Sequence, residues 1–130
     1  MKVFYNEAYI APAHVLDTTR KSGEIATAMG EGRAPGCEMV DPVDFVGLAE
    51  ELIEETHAPA CVEALRTGEP SGLAGSQGFS WDAGIWDMAV NSTAGVLAAV
   101  DEALATGGSS GSLSSGLHHA RRAGGAGFCT

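Results

Sequence analysis

The spacing of apolar residues along the chain switches between a period of two and a period near 3.6. "MKVFY" alternates and is rich in β-forming residues, so a strand is predicted at residues 2–5. "GCEMV" at 36–40 predicts a second strand, and "SGSLSSG" at 110–116 predicts a third that is weak in β propensity. Helical patterns lie between these segments, at residues 23–32, 41–55, 57–70 and 86–105.

The helix at 86–105 has the clearest pattern. Its apolar positions are expected to face the core, and Gly107 is expected to end it. Alanine and glycine in "STAGVLAAV" would let this helix lie close to a sheet. The predicted inward positions are Trp86, Ala89, Val90, Leu97, Val100 and Leu104.

Two earlier helices are also predicted from caps and spacing. Asp41 is expected to cap the helix at 41–55, with Phe45, Leu48 and Leu52 inward. The next helix is expected to bury Val62 and Leu65 and to stop near Gly68 and Pro70. Residues 69–81 show no periodicity, and a loop of that length is often functional.

Strands that alternate with helices predict an α/β fold with a mainly parallel sheet. In such sheets, chemistry collects where the strands end. The segment "GLHHA" follows the third predicted strand, so His118 and His119 stand at a favourable place. Two histidines in one pocket could accept and hold a proton. A pair of surface or packing histidines would give the same dipeptide.

The net charge and the cysteine content indicate which binding partners and which cellular compartment suit this protein. The net charge of −10 argues against nucleic acid and anionic membranes, and it suits a cationic substrate or simply solubility. The three cysteines include no CxxC pair, which indicates a reducing compartment. No signal peptide or membrane span is evident, so a cytoplasmic protein is expected.

The C-terminal segment "SGLHHARRAGGAGFCT" resembles the "PGHHA … GFC" segment of the zinc-dependent histone deacetylase and acetylpolyamine amidohydrolase superfamily. "MKVFYNEAY" is similar to the first strand of that family, and "IEETHAPACVEALRTG" to its "vHspeYvealrtG" stretch. "WDAGIWDMAVNSTAGVLAAVDEAL" resembles the helix before the histidines. The resemblance covers nearly the whole chain and implies a three-layer arginase-like α/β fold.

The resemblance also implies roles for four residues. His118 would hydrogen-bond the zinc-bound water, and His119 would act as general base and then as general acid. Gly127 and Phe128 would line the channel for the substrate. The implied reaction is hydrolysis of acetyl-lysine or of an acetylated polyamine, a small cationic amine.

The family's zinc ligands lie beyond "GFC", so residues 1–130 are expected to be the N-terminal part of one deacetylase-like domain. This chain alone is expected to bind no zinc, to be inactive and to form homo-oligomers. Serine replaces the usual proline at Ser115, and cysteine replaces a tyrosine at Cys61. Two other hypotheses stay open: a non-enzymatic association module, or an unrelated α/β enzyme that uses Cys129 with His119.

Overall fold

The three predicted strands form one parallel sheet, with the strand at Lys2–Phe4 in the middle. The structure is a computed structural model that describes residues 1–10, 20–78, 80–114 and 119–127. Strand β1 (Lys2–Phe4) pairs with β2 (Glu38–Val40) on one side and with β3 (Gly111–Ser112) on the other. The prediction of an α/β fold with parallel strands is confirmed. β3 is shorter than predicted because glycine and serine are poor strand formers.

Five α-helices occur within the described ranges. They are α1 (Lys21–Gly30), α2 (Val46–Thr56), α3 (Pro59–Thr67), α4 (Ser71–Ala74) and α5 (Ile85–Thr106). Short 3₁₀ helices occur at Glu7–Tyr9 and Val43–Phe45. Helix α4 lies within the segment predicted to be a loop. Among the residues that the structure describes, no helix is both long and apolar enough to cross a membrane.

Helix α5 lies against the sheet through small residues, as the alanine and glycine pattern predicted. Ala98 and Ala99 are buried and pack with Phe4 of the central strand. Gly95 lies so close to Tyr9 that a Cβ there would overlap the tyrosine hydroxyl and come within 2.6 Å of Ser112 Oγ. The absence of a side chain at Gly95 therefore permits the helix to sit at this distance from the sheet.

The predicted inward face of α5 is wrong in its last two turns. Val100 is 53% exposed and Leu104 is 80% exposed. The helix instead turns its alanines toward the sheet, since only short side chains fit in the narrow space beside Phe4. Val90, nearer the start of the helix, is buried as predicted.

Helix α2 also differs from its prediction. Asp41 does not cap it, because the chain first makes the 3₁₀ turn at Val43–Phe45 and enters α2 directly from that turn. Leu48, predicted inward, is 46% exposed, whereas Ala49 is fully buried against α5. The contact between α2 and α5 is therefore close, and a leucine points away from it.

Helix α3 follows its prediction closely. Val62 and Leu65 are buried, and the helix ends at Gly68, which has the left-handed φ of 85°. The ring of Trp81 lies over Gly68, and its indole N–H donates to the carbonyl of Leu65 at 2.7 Å. These contacts tie the segment before α5 to the end of α3. A core cluster joins the two helices through Cys61, Leu65, Ile85 and Met88.

Candidate functional site

Residues 119–127, here called the histidine loop, follow β3 in the chain and are held against the start of α3. The backbone N–H of Ala58 donates to the carbonyl of Arg122 at 2.6 Å. His57 Nδ1 lies 2.9 Å from the carbonyl of Arg121. Because a carbonyl oxygen can only accept, Nδ1 carries the hydrogen in this contact. The junction between α2 and α3 therefore fixes the middle of the loop.

A second contact fixes the loop from the other side. The N–H of Gly125 donates to Ser76 Oγ at 3.0 Å, just after α4. Within the loop, the N–H of Arg121 donates to the carbonyl of Gly124 at 2.9 Å and closes a tight turn. Gly124 also passes close to Ser76, since a Cβ there would lie 3.3 Å from the serine oxygen. The loop is thus attached to two separate parts of the helical layer.

Two of the four predicted site residues meet in this loop. Gly127 has a left-handed φ of 55°, and a Cβ on it would lie 2.7 Å from His119 Cδ2. The His119 ring therefore lies on the backbone of Gly127, in space that a side chain at position 127 would occupy. The His119 residue is exposed, so its imidazole can reach a solute. The predicted residues His118 and Phe128 lie outside the described residues, as does Cys129.

A pocket of about 310 Å³ opens beside the histidine loop. Its wall comes from α2, α3 and α5, from the segment after α4, and from the loop itself. Apolar side chains such as Ile53, Leu65 and Trp86 form much of this wall. The polar residues that also border the pocket are His57, Gln77, Ser92, Thr93 and Ser114.

Sequence reasoning missed two residues of this site, Gln77 and His57. Gln77 falls in the segment 69–81 that was expected to be functional by its length, but nothing in the local pattern singled it out. His57 matches no motif in the sequence, and in the structure it holds the histidine loop through the carbonyl of Arg121. Both roles depend on contacts between residues that are far apart in sequence.

The thiol of Cys61 also borders the pocket, and it belongs to the core cluster of α3 and α5. Burial raises the pKa of this thiol, so the neutral form is favoured further at physiological pH. A protonated buried thiol is a poor nucleophile and a poor metal ligand. Cys61 therefore acts as a small apolar side chain in this place.

The described residues contain no group of three histidine, cysteine or acidic side chains that could hold a metal ion. A catalytic zinc site takes three protein ligands that lie together. The described part of the chain does not fit that requirement.

Comparisons with protein-family models, with curated protein sequences and with solved structures found no match to this chain. The likeness to deacetylases rests on the sequence motifs alone.

Proposed function

We propose that the chain supplies the proton-transfer part of a zinc-dependent amide hydrolase of the deacetylase type, as the N-terminal portion of such an enzyme. The observation that carries the proposal is the exposed His119 ring lying on Gly127 in a doubly attached loop. An imidazole can take a proton from water and pass it to a leaving amine near neutral pH. Attachment of the loop would keep the ring in one place during both transfers.

The proposed substrate is an acetylated lysine side chain or an acetylated polyamine. The net charge of −10 favours the approach of a cationic molecule. Gly127 has no side chain, which lets the His119 ring lie directly on its backbone, since a Cβ there would lie 2.7 Å from the ring. In this proposal His118 supports the charge on the reacting water and Phe128 forms an aromatic wall, and both assignments come from the sequence resemblance.

The proposed enzyme requires zinc, but the described residues contain no group of side chains that could bind it. Its ligands would come from outside them, and zinc would polarise the amide carbonyl. The 130-residue chain alone, with zinc added, is therefore expected to release no acetate from acetyl-lysine peptides or acetylpolyamines. The free thiols of Cys37 and Cys61 support the cytoplasmic setting that we propose for this enzyme.

The role of His119 is tested in an active protein that contains this segment. His119→Ala is expected to lower kcat by a factor on the order of 10² or more, because the reaction loses its proton carrier. Acetate release from an acetyl-lysine peptide and from an acetylpolyamine measures the effect. Arg33→Ala is the control, since the Arg33 side chain is 73% exposed and bonds only its neighbour Glu31 among the described residues. Unchanged turnover in His119→Ala would show that His119 is not the base.

A second candidate function, self-association without catalysis, is favoured by one surface. Val96, Val100 and Leu104 follow one another at helical spacing on α5 and are 46%, 53% and 80% exposed. Exposed apolar residues in a row are typical of an interaction surface. A second copy of this chain that packs the same stripe against its own would bury both.

The association hypothesis is tested by sedimentation velocity over a range of concentrations. The wild-type chain is expected to sediment as an oligomer, and Val100→Glu to sediment as a monomer because a charge would be buried at the contact. Ile25→Glu, at a 47% exposed position on α1, serves as the matched control and is expected to leave the oligomer intact. A monomeric wild-type chain at high concentration would exclude this function.

A further inference from the structure

The histidine loop turns back on itself between Arg121 and Gly124. The N–H of Arg121 donates to the carbonyl of Gly124 at 2.9 Å, and the two residues form an antiparallel bridge. The chain on the two sides of this turn therefore runs side by side, and His119 before the turn lies on Gly127 after it. Only Ala120 separates His119 from Arg121, so the place of the His119 ring depends on the place of the turn.

Apolar packing contributes little to holding this turn. Residues 119–123 are all exposed, and the inner side of the loop borders the open pocket of about 310 Å³. Gly124 and Gly125 have no side chains that could pack into the helical layer. A surface segment with so few buried apolar contacts keeps its place through hydrogen bonds to the layer beneath it.

Two consecutive residues, His57 and Ala58, donate hydrogen bonds to the turn. Their acceptors are the consecutive carbonyls of Arg121 and Arg122, at 2.9 Å and 2.6 Å. The bond from Ala58 comes from a backbone N–H that nearly every residue type would supply, whereas the bond from Nδ1 requires the side chain of His57. The backbone of His57 is itself fixed at the end of α2, because its N–H donates to the carbonyl of Ile53 at 2.9 Å.

We propose that His57 is a positioning residue for the proposed reaction and holds the His119 imidazole in place through the turn at Arg121. This inference rests on the proposed function, in which His119 carries the proton. A proton carrier must lie within hydrogen-bond reach of the reacting atoms, and a displacement of about 1 Å can cost a factor on the order of 10² in rate. His57 acts through the backbone of the loop and takes no part in the proton transfer.

Trypsin tests the contact in the 130-residue chain itself, because it cleaves after arginine. The carbonyl that His57 holds is that of Arg121, one of the bonds that trypsin attacks, and a held turn resists cleavage. His57→Leu removes this hydrogen bond and should speed cleavage at the turn about tenfold. His57→Asn places an amide N–H where Nδ1 stood and should stay within about a factor of two of the wild-type rate.

Cleavage after Arg33 is the internal control for trypsin. This side chain is 73% exposed and lies in the segment after α1, so its cleavage should keep the same rate in all three proteins. A rise at both sites would report lower global stability instead of a released turn. Equal rates at Arg121 in the wild-type chain and in His57→Leu would contradict the proposal, because the contact would then not hold the turn.

NMR of the same proteins tests the position of the His119 ring. The ring lies on the backbone of Gly127, so its ring current should shift the Gly127 amide signal. This shift should be lost in His119→Ala, largely lost in His57→Leu and kept in His57→Asn. If the shift in His57→Leu equals that of the wild-type chain, His57 does not position the ring.

Kinetics in an active protein that contains this segment give the third arm of the test. His57→Leu should lower kcat about tenfold and leave KM within about a factor of two, because the chemical step loses its geometry while substrate binding does not change. The loss should be equal across the pH range, since His57 transfers no proton, and His57→Asn should recover most of kcat. Acetate release from an acetyl-lysine peptide measures these values.

The outcomes separate this inference from the proposed function. If His119→Ala abolishes turnover and His57→Leu keeps it, the positioning role is wrong and the proposed function stands. If His119→Ala keeps full turnover, the proposed function is wrong and the positioning role falls with it. A loss in His57→Leu that His57→Asn does not recover would assign the imidazole to the chemistry and would also contradict the proposal. If His57→Leu does not fold, His57→Asp takes its place, since a carboxylate has the shape of the asparagine amide without its N–H.

Discussion

The two halves of helix α5 meet the rest of the molecule in different ways. From Gly95 onward the helix lies on the sheet, with Ala98 and Ala99 packed beside Phe4, and there is no room for a side chain at Gly95. The first half presents Ile85 and Met88 to α3, and beside them the pocket remains open. One helix therefore supplies a close structural contact at one end and a wall of the pocket at the other. The close contact sets the distance between α5 and the sheet, and the region beside Ile85 and Met88 contains the pocket.

The largest change in the free energy of unfolding is expected from adding a side chain at Gly95, where α5 lies against Tyr9. Gly95→Ala should lower the free energy of unfolding by about 3 kcal/mol, because the new methyl displaces Tyr9 and breaks its contact with Ser112. Urea unfolding followed by circular dichroism measures this loss. Gly47→Ala is the control, since a Cβ at that position of α2 meets nothing within 4 Å. It should be neutral or stabilise by up to about 1 kcal/mol.

A smaller loss of stability is expected from shortening a side chain in the first half of α5. Ile85→Val should cost about 1 kcal/mol, because one buried methylene is lost where Ile85 is fully buried. The same unfolding measurement applies, with Ile25→Val at a 47% exposed position of α1 as the matched control that changes stability by less than about 0.5 kcal/mol. The contrast between the halves fails if Ile85→Val costs as much as Gly95→Ala.

The third effect on stability is absent at neutral pH and appears only in base. Burial raises the pKa of Tyr9 to about 12, whereas the unfolded chain releases this proton near 10. The folded state binds the proton more tightly, so stability should fall as pH rises from about 10 to about 12. Tyr9→Phe should make that fall shallower in unfolding curves measured across this range. Equal slopes in the two proteins would mean that Tyr9 is not held neutral by the close contact.

Sequence patterns were most informative where a single residue type has one structural use. Gly68 and Gly107 both end helices with a left-handed φ, because glycine adopts that conformation without steric cost. Val62 and Leu65 are buried as predicted. The side of a helix that is buried was harder to predict. Ala49 is buried where Leu48 was predicted to be, because α5 approaches α2 too closely for a leucine side chain.

The candidate site was only partly visible in the sequence. His119 and Gly127 could be singled out from a motif, and they do lie in contact. The attachment of their loop could not be foreseen, since Ala58 and Ser76 are distant from it in sequence and bond it through a backbone N–H and a serine hydroxyl that form no local pattern. The same holds for Gln77, because a glutamine becomes unusual only when it is buried without partners.

The sequence by itself determined the alternation of strands and helices, the parallel sheet and the places where the helices end, because these follow from local periodicity and from glycine conformation. The tertiary structure alone decided which face of α5 is buried and where the pocket lies. Those features depend on how near two surfaces come, and that distance is set by the side chains of both partners. Gly95 lies directly against Tyr9, and Gln77 lies buried without a hydrogen-bond partner among the described residues.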